Sequence, residues 1–149
     1  MVFKKSVVLN TDIDSLFVFH LDTNNAIKIS PPFPFLELVY ISEIPLKQNS
    51  TLTMRLNFVL FTIDWELAIS QVEPFRVITD SQIKGPVYQW QHHHRFEERD
   101  GGVCMVDEVE FTSFNNRWLA LIIDPIVYLS LFGLFAFRHN VMKKLFRRH

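Results

Sequence analysis

The chain has 149 residues, 15 of them Phe, with 15 Lys and Arg against 16 Asp and Glu for a formal net charge of −1. That length buries roughly 68–70% of the unfolded surface, and the chain is read as a single domain over residues 1–149. Near-cancelled charge leaves no basic field for a phosphate backbone, so nucleic acid is not expected as a partner, and four Gly without a repeat period exclude collagen-like and solenoid classes.

Val2–Leu9 is β-branched at its centre and is predicted as a first strand. Asn10 to Asp14 has the look of a helix start, with Thr11 as cap and acids in the first turn. The apolar positions Ile13, Leu16, Phe17, Phe19 and Leu21 then predict a helix of about ten residues, which also carries His20. A second short helix through Ala26, Ile27 and Lys28 must stop before Pro31-Pro32, because a residue preceding proline is pushed out of the α region. From Phe35 the period becomes two: Leu36, Leu38 and Tyr40 are expected on one strand face. Further strands are expected over Thr51–Leu60, over Phe61, Ile63, Trp65, Leu67 and Ile69, and over Phe75–Ile83.

The next stretch, Gly85 to Phe96, alternates strictly after a Gly-Pro turn. Tyr88, Trp90, His92, His94 and Phe96 share one face and Gln89, Gln91, His93 and Arg95 the other. Two imidazoles among aromatic rings on a buried face need polar partners or a cavity. Asp100-Gly101-Gly102 signals a hairpin, beyond which Val103, Met105, Asp107, Val109 and Phe111 face one side. After Asn115-Asn116 the chain is predicted as one long helix. The predicted class is α+β: a curved antiparallel sheet of six or seven strands, two short helices after the first strand, and a long C-terminal helix covering the apolar face.

Trp118 to Phe137 is apolar almost all round, and Arg138, Lys143, Lys144, Arg147 and Arg148 follow. With Asp124 placed at an interface, Ile126 to Phe137 gives roughly 18 Å of helix against the ~30 Å of a hydrocarbon core. A helix clasped on most sides by a sheet explains the same composition without lipid, so membrane contact is not the favoured expectation. The N-terminus lacks the apolar segment of a signal peptide and the single Cys104 cannot form an internal disulfide, so a cytoplasmic location is expected.

The strand from Gly85 resembles the Gly-Pro-aromatic-x-x-Trp-x-His-x-His-x-Phe strand of small bacterial SRPBCC proteins, the START-like, polyketide cyclase-like or helix-grip superfamily. Gly85, Pro86, Trp90, His92, His94 and Phe96 carry the match, with Val87 where an aromatic is usual. Phe19-His20, Pro31-Pro32, Asp80-Ser81-Gln82, Met105-x-Asp107 and Phe137-Arg138 also fit. The resemblance spans the chain and implies a helix-grip fold. It does not fix an activity, since carriers, receptors, cyclases and dehydratases share that scaffold.

Three chemistries are open to His92 and His94. Two strand imidazoles two residues apart, roughly 6.6–6.8 Å between Cα atoms, fall short of the three or four ligands of zinc, and the remaining inward candidates are His20, Asp80 and Asp107. No metal or cofactor is expected. An imidazole oriented by Asp107 could instead do acid–base work on a ketone or enol in a cyclase, dehydratase or isomerase, which leaves His92, His94 and Asp107 as catalytic candidates. Or these groups form a polar network that satisfies itself. The expected function is binding of a hydrophobic small molecule or lipid between sheet and terminal helix, lined by Trp65, Asp80, Gln82, Trp90, His92, His94, Phe96 and Asp107. A membrane-peripheral or protein-interaction role of the terminal helix is the further alternative. No Gly-rich phosphate loop or Gly-x-Ser-x-Gly elbow is present, so nucleotide-dependent and serine-hydrolase chemistry are not expected.

Overall fold

The computed structural model describes residues 1–147, so Arg148 lies outside the described residues. The chain runs β1 (Val2–Leu9), α1 (Ile13–His20), α2 (Thr23–Lys28), β2 (Phe35–Ile41), β3 (Thr51–Asn57), β4 (Thr62–Glu73), β5 (Val77–Lys84), β6 (Gln89–Arg99), β7 (Gly102–Thr112) and α3 (Arg117–Leu145). Seven strands form one curved sheet in the order β1-β7-β6-β5-β4-β3-β2, every pair antiparallel, so the expected α+β architecture is present.

Several local expectations are corrected. Asp12, not Thr11, caps α1: its carboxylate accepts from the Ser15 backbone N–H at 2.7 Å. A register shift between Leu38 and Tyr40 inserts an extra residue in β2, so Ile41 rather than Tyr40 joins Leu36 and Leu38 against the core, and Tyr40 is exposed. β3 ends at Asn57, and Phe61, expected to start the next strand, stands exposed in the turn that follows. Phe75 also lies in a turn, at φ 62, outside β5, and Tyr88 precedes β6 and is exposed.

Two apolar cores sit on the concave face. Near α1 and α2, Leu9, Leu16, Phe17, Leu67, Ile78, Phe96 and Met105 pack together with Met142 from the end of α3. Toward the other end Phe3, Val109 and Phe111 receive Leu131 and Phe135, with Phe3 stacked on Phe135 at 5.4 Å and edge-on to Tyr128 at 5.3 Å. α3 therefore lies along β1 and β7, and α1 and α2 share the work of covering the sheet. The expectation that the sheet wraps α3 on most sides does not hold. Only 17% of its most apolar 18-residue window is buried. Asp124 is not an orphan: it is buried and accepts from the Ser113 backbone N–H at 2.8 Å.

Antiparallel pairing gathers particular loops at one end of the sheet. Met1 donates to the Phe111 carbonyl, Gln89 lies opposite Thr112, and Asn57 opposite both Thr62 and Phe35. The turns 58–61 and 85–88, the joint 113–116 and the start of α3 consequently share the Met1 end.

Candidate functional site

The pleat of β6 turns Trp90, His92, His94 and Phe96 to the concave face, and pairing supplies their neighbours. Asp80 on β5 lies opposite His92, and Asp107 on β7 lies opposite His94. α3 adds His139. Asp107 Oδ1 lies 2.8 Å from His92 Nε2 and Oδ2 lies 2.6 Å from His139 Nε2. An ionised carboxylate only accepts, so both of these nitrogens carry protons and donate to it. His94 Nδ1 lies 3.1 Å from Asp107 Oδ1, in ion-pair range though off hydrogen-bond geometry, and its Nε2 donates to Asp80 Oδ2 at 3.3 Å. Trp90 Nε1–H donates to Asp80 Oδ1 at 3.4 Å, and His92 Nδ1 stands 3.6 Å from Asp80 Oδ2. The His92 and His94 rings are 3.9 Å apart.

Burial and charge sort the protons. Burial opposes a charged His94, but Asp107 and Asp80 outweigh it and raise its pKa to about 9. Burial, followed by the charge of His94, lowers His92 below its ordinary value. The same two causes bring His20 to about 3. For Asp107 burial pushes upward, yet the hydrogen bonds from His139 and His92 and the close approach of His94 hold it well below the usual carboxylate range. Asp80 is lowered likewise, burial opposing and the His94 bond leading the lowering causes. Arg138, its pKa lowered by burial, is supported by the charges of Asp107 and Asp80. Asp80 and Asp107 thus face the raised imidazole of His94 and the guanidinium of Arg138.

Most of the expected residues meet here: Asp80, Trp90, His92, His94 and Asp107. His93 lies on the opposite face, 2.9 Å from Thr79 Oγ1. Phe96 belongs to the core, packed edge-on against Phe17 and His20. His20 directs Nδ1 to the Leu16 carbonyl at 2.8 Å and stands 5.4 Å from the His94 ring. His139 and Arg138 were missed. Their signal was the Phe137-Arg138 pair in the resemblance, with His139 directly after it.

Chemically, the cluster is engaged inward. His92 is 4% exposed and its neighbours are carboxylates and rings, which suits a role in holding strand register and docking α3. Two open depressions lie at the surface. One, of about 480 Å³, lies among Met1, Pro125, Tyr128 and Leu129. The other, of about 360 Å³, is lined by residues such as Val2, Gln89, Trp90 and Glu110. Ligand atoms of Asp80, His92 and His94 converge within 4.8 Å, as do those of His93, Glu108 and Glu110 on the other face. The first group could hold a cation, but its carboxylate already faces His94. In the second group, Glu108 already pairs with Lys4 and Arg95.

Trp65 and Gln82 form a separate feature. Gln82 Nε2 donates to the Val87 carbonyl at 2.8 Å, while its Oε1 and the Trp65 Nε1–H are buried without hydrogen-bond partners. Both flank Gly85, where a Cβ would come 2.4 Å from Trp65 Cδ1 and 2.5 Å from Gln82 Oε1. Trp65 meets Trp90 edge-on at 4.9 Å. A donor, an acceptor and two indoles therefore adjoin on the concave face near the Met1 end.

No family model matches the chain, and no curated protein matches it by sequence. Solved structures do. CV1439 from Chromobacterium violaceum aligns with a TM-score of 0.76 over 100% of this chain and 99% of its own, at 9% identity. StfQ, a di-domain ARO/CYC of the steffimycin biosynthetic pathway, gives 0.69 over 97% of this chain and 49% of its own, at 12% identity. Ara h 8.0201 gives 0.65 over 95% and 97%, also at 12% identity. At these identities the likeness is one of fold: the chain has the helix-grip, SRPBCC-type fold.

Proposed function

We propose that this helix-grip chain binds a hydrophobic small molecule or lipid on the concave face near the Met1 end, with the ligand's polar end at Trp65 and Gln82. The observation that supports this is the unpartnered pair of Trp65 Nε1–H and Gln82 Oε1 beside two indoles. A buried donor and a buried acceptor left open each cost about 1–3 kcal/mol, which a ligand hydroxyl or carboxyl would recover. The indoles and neighbouring aliphatic side chains supply the apolar wall usual for such sites. His92, edge-on to Trp90 at 6.1 Å, and Asp80, which accepts from the Trp90 Nε1–H, hold the wall in place. The StfQ likeness makes aromatic polyketides one ligand class to try.

The experiment is native mass spectrometry of the purified chain, followed by titration with a fluorescent fatty acid and with an aromatic polyketide, read by tryptophan emission. A copurified mass or saturable binding is expected, weakened about tenfold by Gln82→Met, which keeps volume and removes the acceptor. No bound mass and no saturable titration with either probe would overturn the reading.

A further inference from the structure

α3 presents an outer face with no polar design. From Trp118 to Phe137 the one charged residue is Asp124, and it points inward to Ser113. Trp118, Leu121, Ile122, Ile126, Leu129 and Phe132 are exposed, Trp118 and Leu129 by 75% and 71%. That face runs along about 30 Å of helix at 1.5 Å per residue. Soluble monomers rarely leave a contiguous apolar surface of this extent uncovered.

Exposed apolar side chains also stand off the helix. The Met1 end, where α3 begins, also carries the turn 58–61, with Val59 86% and Leu60 91% exposed beside exposed Phe61. Ile83, Tyr88 and Phe114 are exposed at the same end. They come from separate connections and from the end of β5, gathered by the antiparallel topology.

Charge identifies the occupant. Arg117 stands at one end of the apolar face, and Lys143, Lys144 and Arg147 at the other, all exposed. Among the described residues α3 has no exposed carboxylate. A long apolar face flanked by cations and free of anions complements an interface with acyl chains and anionic headgroups. A second copy of the chain would bring the same cations against themselves if the helices paired in parallel.

We infer that the outer face of α3, together with the turn 58–61, docks on an anionic lipid bilayer, α3 lying in the interface. This stands independently of ligand binding at Trp65 and Gln82, and it would place the Met1 end of the concave face against lipid. The chain does not span: Asp124 and its bond to Ser113 tie α3 to the sheet.

The test is flotation of the full chain with vesicles of phosphatidylcholine alone and of phosphatidylcholine with phosphatidylglycerol. Binding is expected to the anionic vesicles and to fall with salt. Replacing Lys143 and Lys144 by Gln should lower partitioning by roughly 30-fold at low salt, at about 1 kcal/mol per cation. Ile122→Asn with Leu129→Asn, and separately Leu60→Asn, should weaken it without changing the circular dichroism spectrum. Light scattering without vesicles should report a monomer. A dimer that fails to float, flotation unchanged by these variants, or membrane material that resists alkaline carbonate would each overturn the inference. Ligand titration of the Leu60→Asn chain, expected to match the unmodified chain, keeps failure here separate from failure at the ligand site.

Discussion

Asp107 is a buried carboxylate surrounded by three imidazoles, and its surroundings set the pH response of the molecule. Removing one partner of such a buried pair typically costs 3–5 kcal/mol, because the charge left behind has no water to replace it. The protons enter on both sides of neutrality. His94 has a folded pKa of about 9 against 6.5. Its stabilisation is therefore complete below pH 6.5 and lost as pH rises through 9, a gap worth roughly 3 kcal/mol. His20, at about 3 against 6.5, acts in the opposite sense. The unfolded chain takes up a proton below pH 6.5 that the folded chain refuses until about 3, so stability also falls on the acid side. Lowered His92 adds to that limb, and Asp80 and Asp107 extend it further down. Urea unfolding across this range should show a stability maximum near pH 6.5, and His94→Gln should flatten the alkaline limb. A wild-type midpoint level from pH 6.5 to 9 would contradict the charge assignment.

At the scale of elements, the β5–β6 turn carries a tight constraint beside Trp65 and Gln82, the proposed ligand site. Ala at Gly85 must displace the Trp65 ring or the Gln82 amide, the groups 2.4 and 2.5 Å from the new Cβ. Overpacking of this kind costs about 1–3 kcal/mol and should also shift tryptophan emission. Gly133 is the control: it lies in α3 with nothing within 4 Å of an added Cβ. Ala there should stabilise the helix by about 0.5–1 kcal/mol. Equal effects at the two positions, read by thermal unfolding, would rule out the close approach at Gly85. The same elements show what sequence reading reaches. Alternation through β6 placed Trp90, His92 and His94 together, and the hairpin at Gly101-Gly102 brought in Asp107, because both are local period-two patterns. The β2 bulge at Tyr40 broke that period without a Gly or Pro to announce it. His139 was out of reach for another reason: it meets Asp107 across 32 residues. Its partner depends on how α3 rotates about its axis when it docks, and nothing local in the sequence encodes that.

The orientation of α3 is also the property of the whole molecule least readable from composition. A helix apolar on every side carries no periodic signal, so the amphipathic argument cannot choose which stripe meets the sheet. The wrapped and the half-exposed arrangements predict different energetics. If the sheet enclosed α3, large-to-small changes would be costly all round the helix. In the observed arrangement Phe135 is 1% exposed, between Phe3 and the His92 ring. Phe135→Ala should therefore cost about 3–5 kcal/mol. Leu129, six residues earlier on the outer face, should tolerate Ala within about 0.5 kcal/mol despite being equally apolar. Chemical denaturation of the two variants measures the difference directly. Comparable losses would mean that α3 is gripped on both sides, and the outer face would then be core rather than a docking surface. A large loss at Phe135 alone would leave the outer face of some five turns of α3 with no structural role inside the fold, which is the condition that docking on lipid requires.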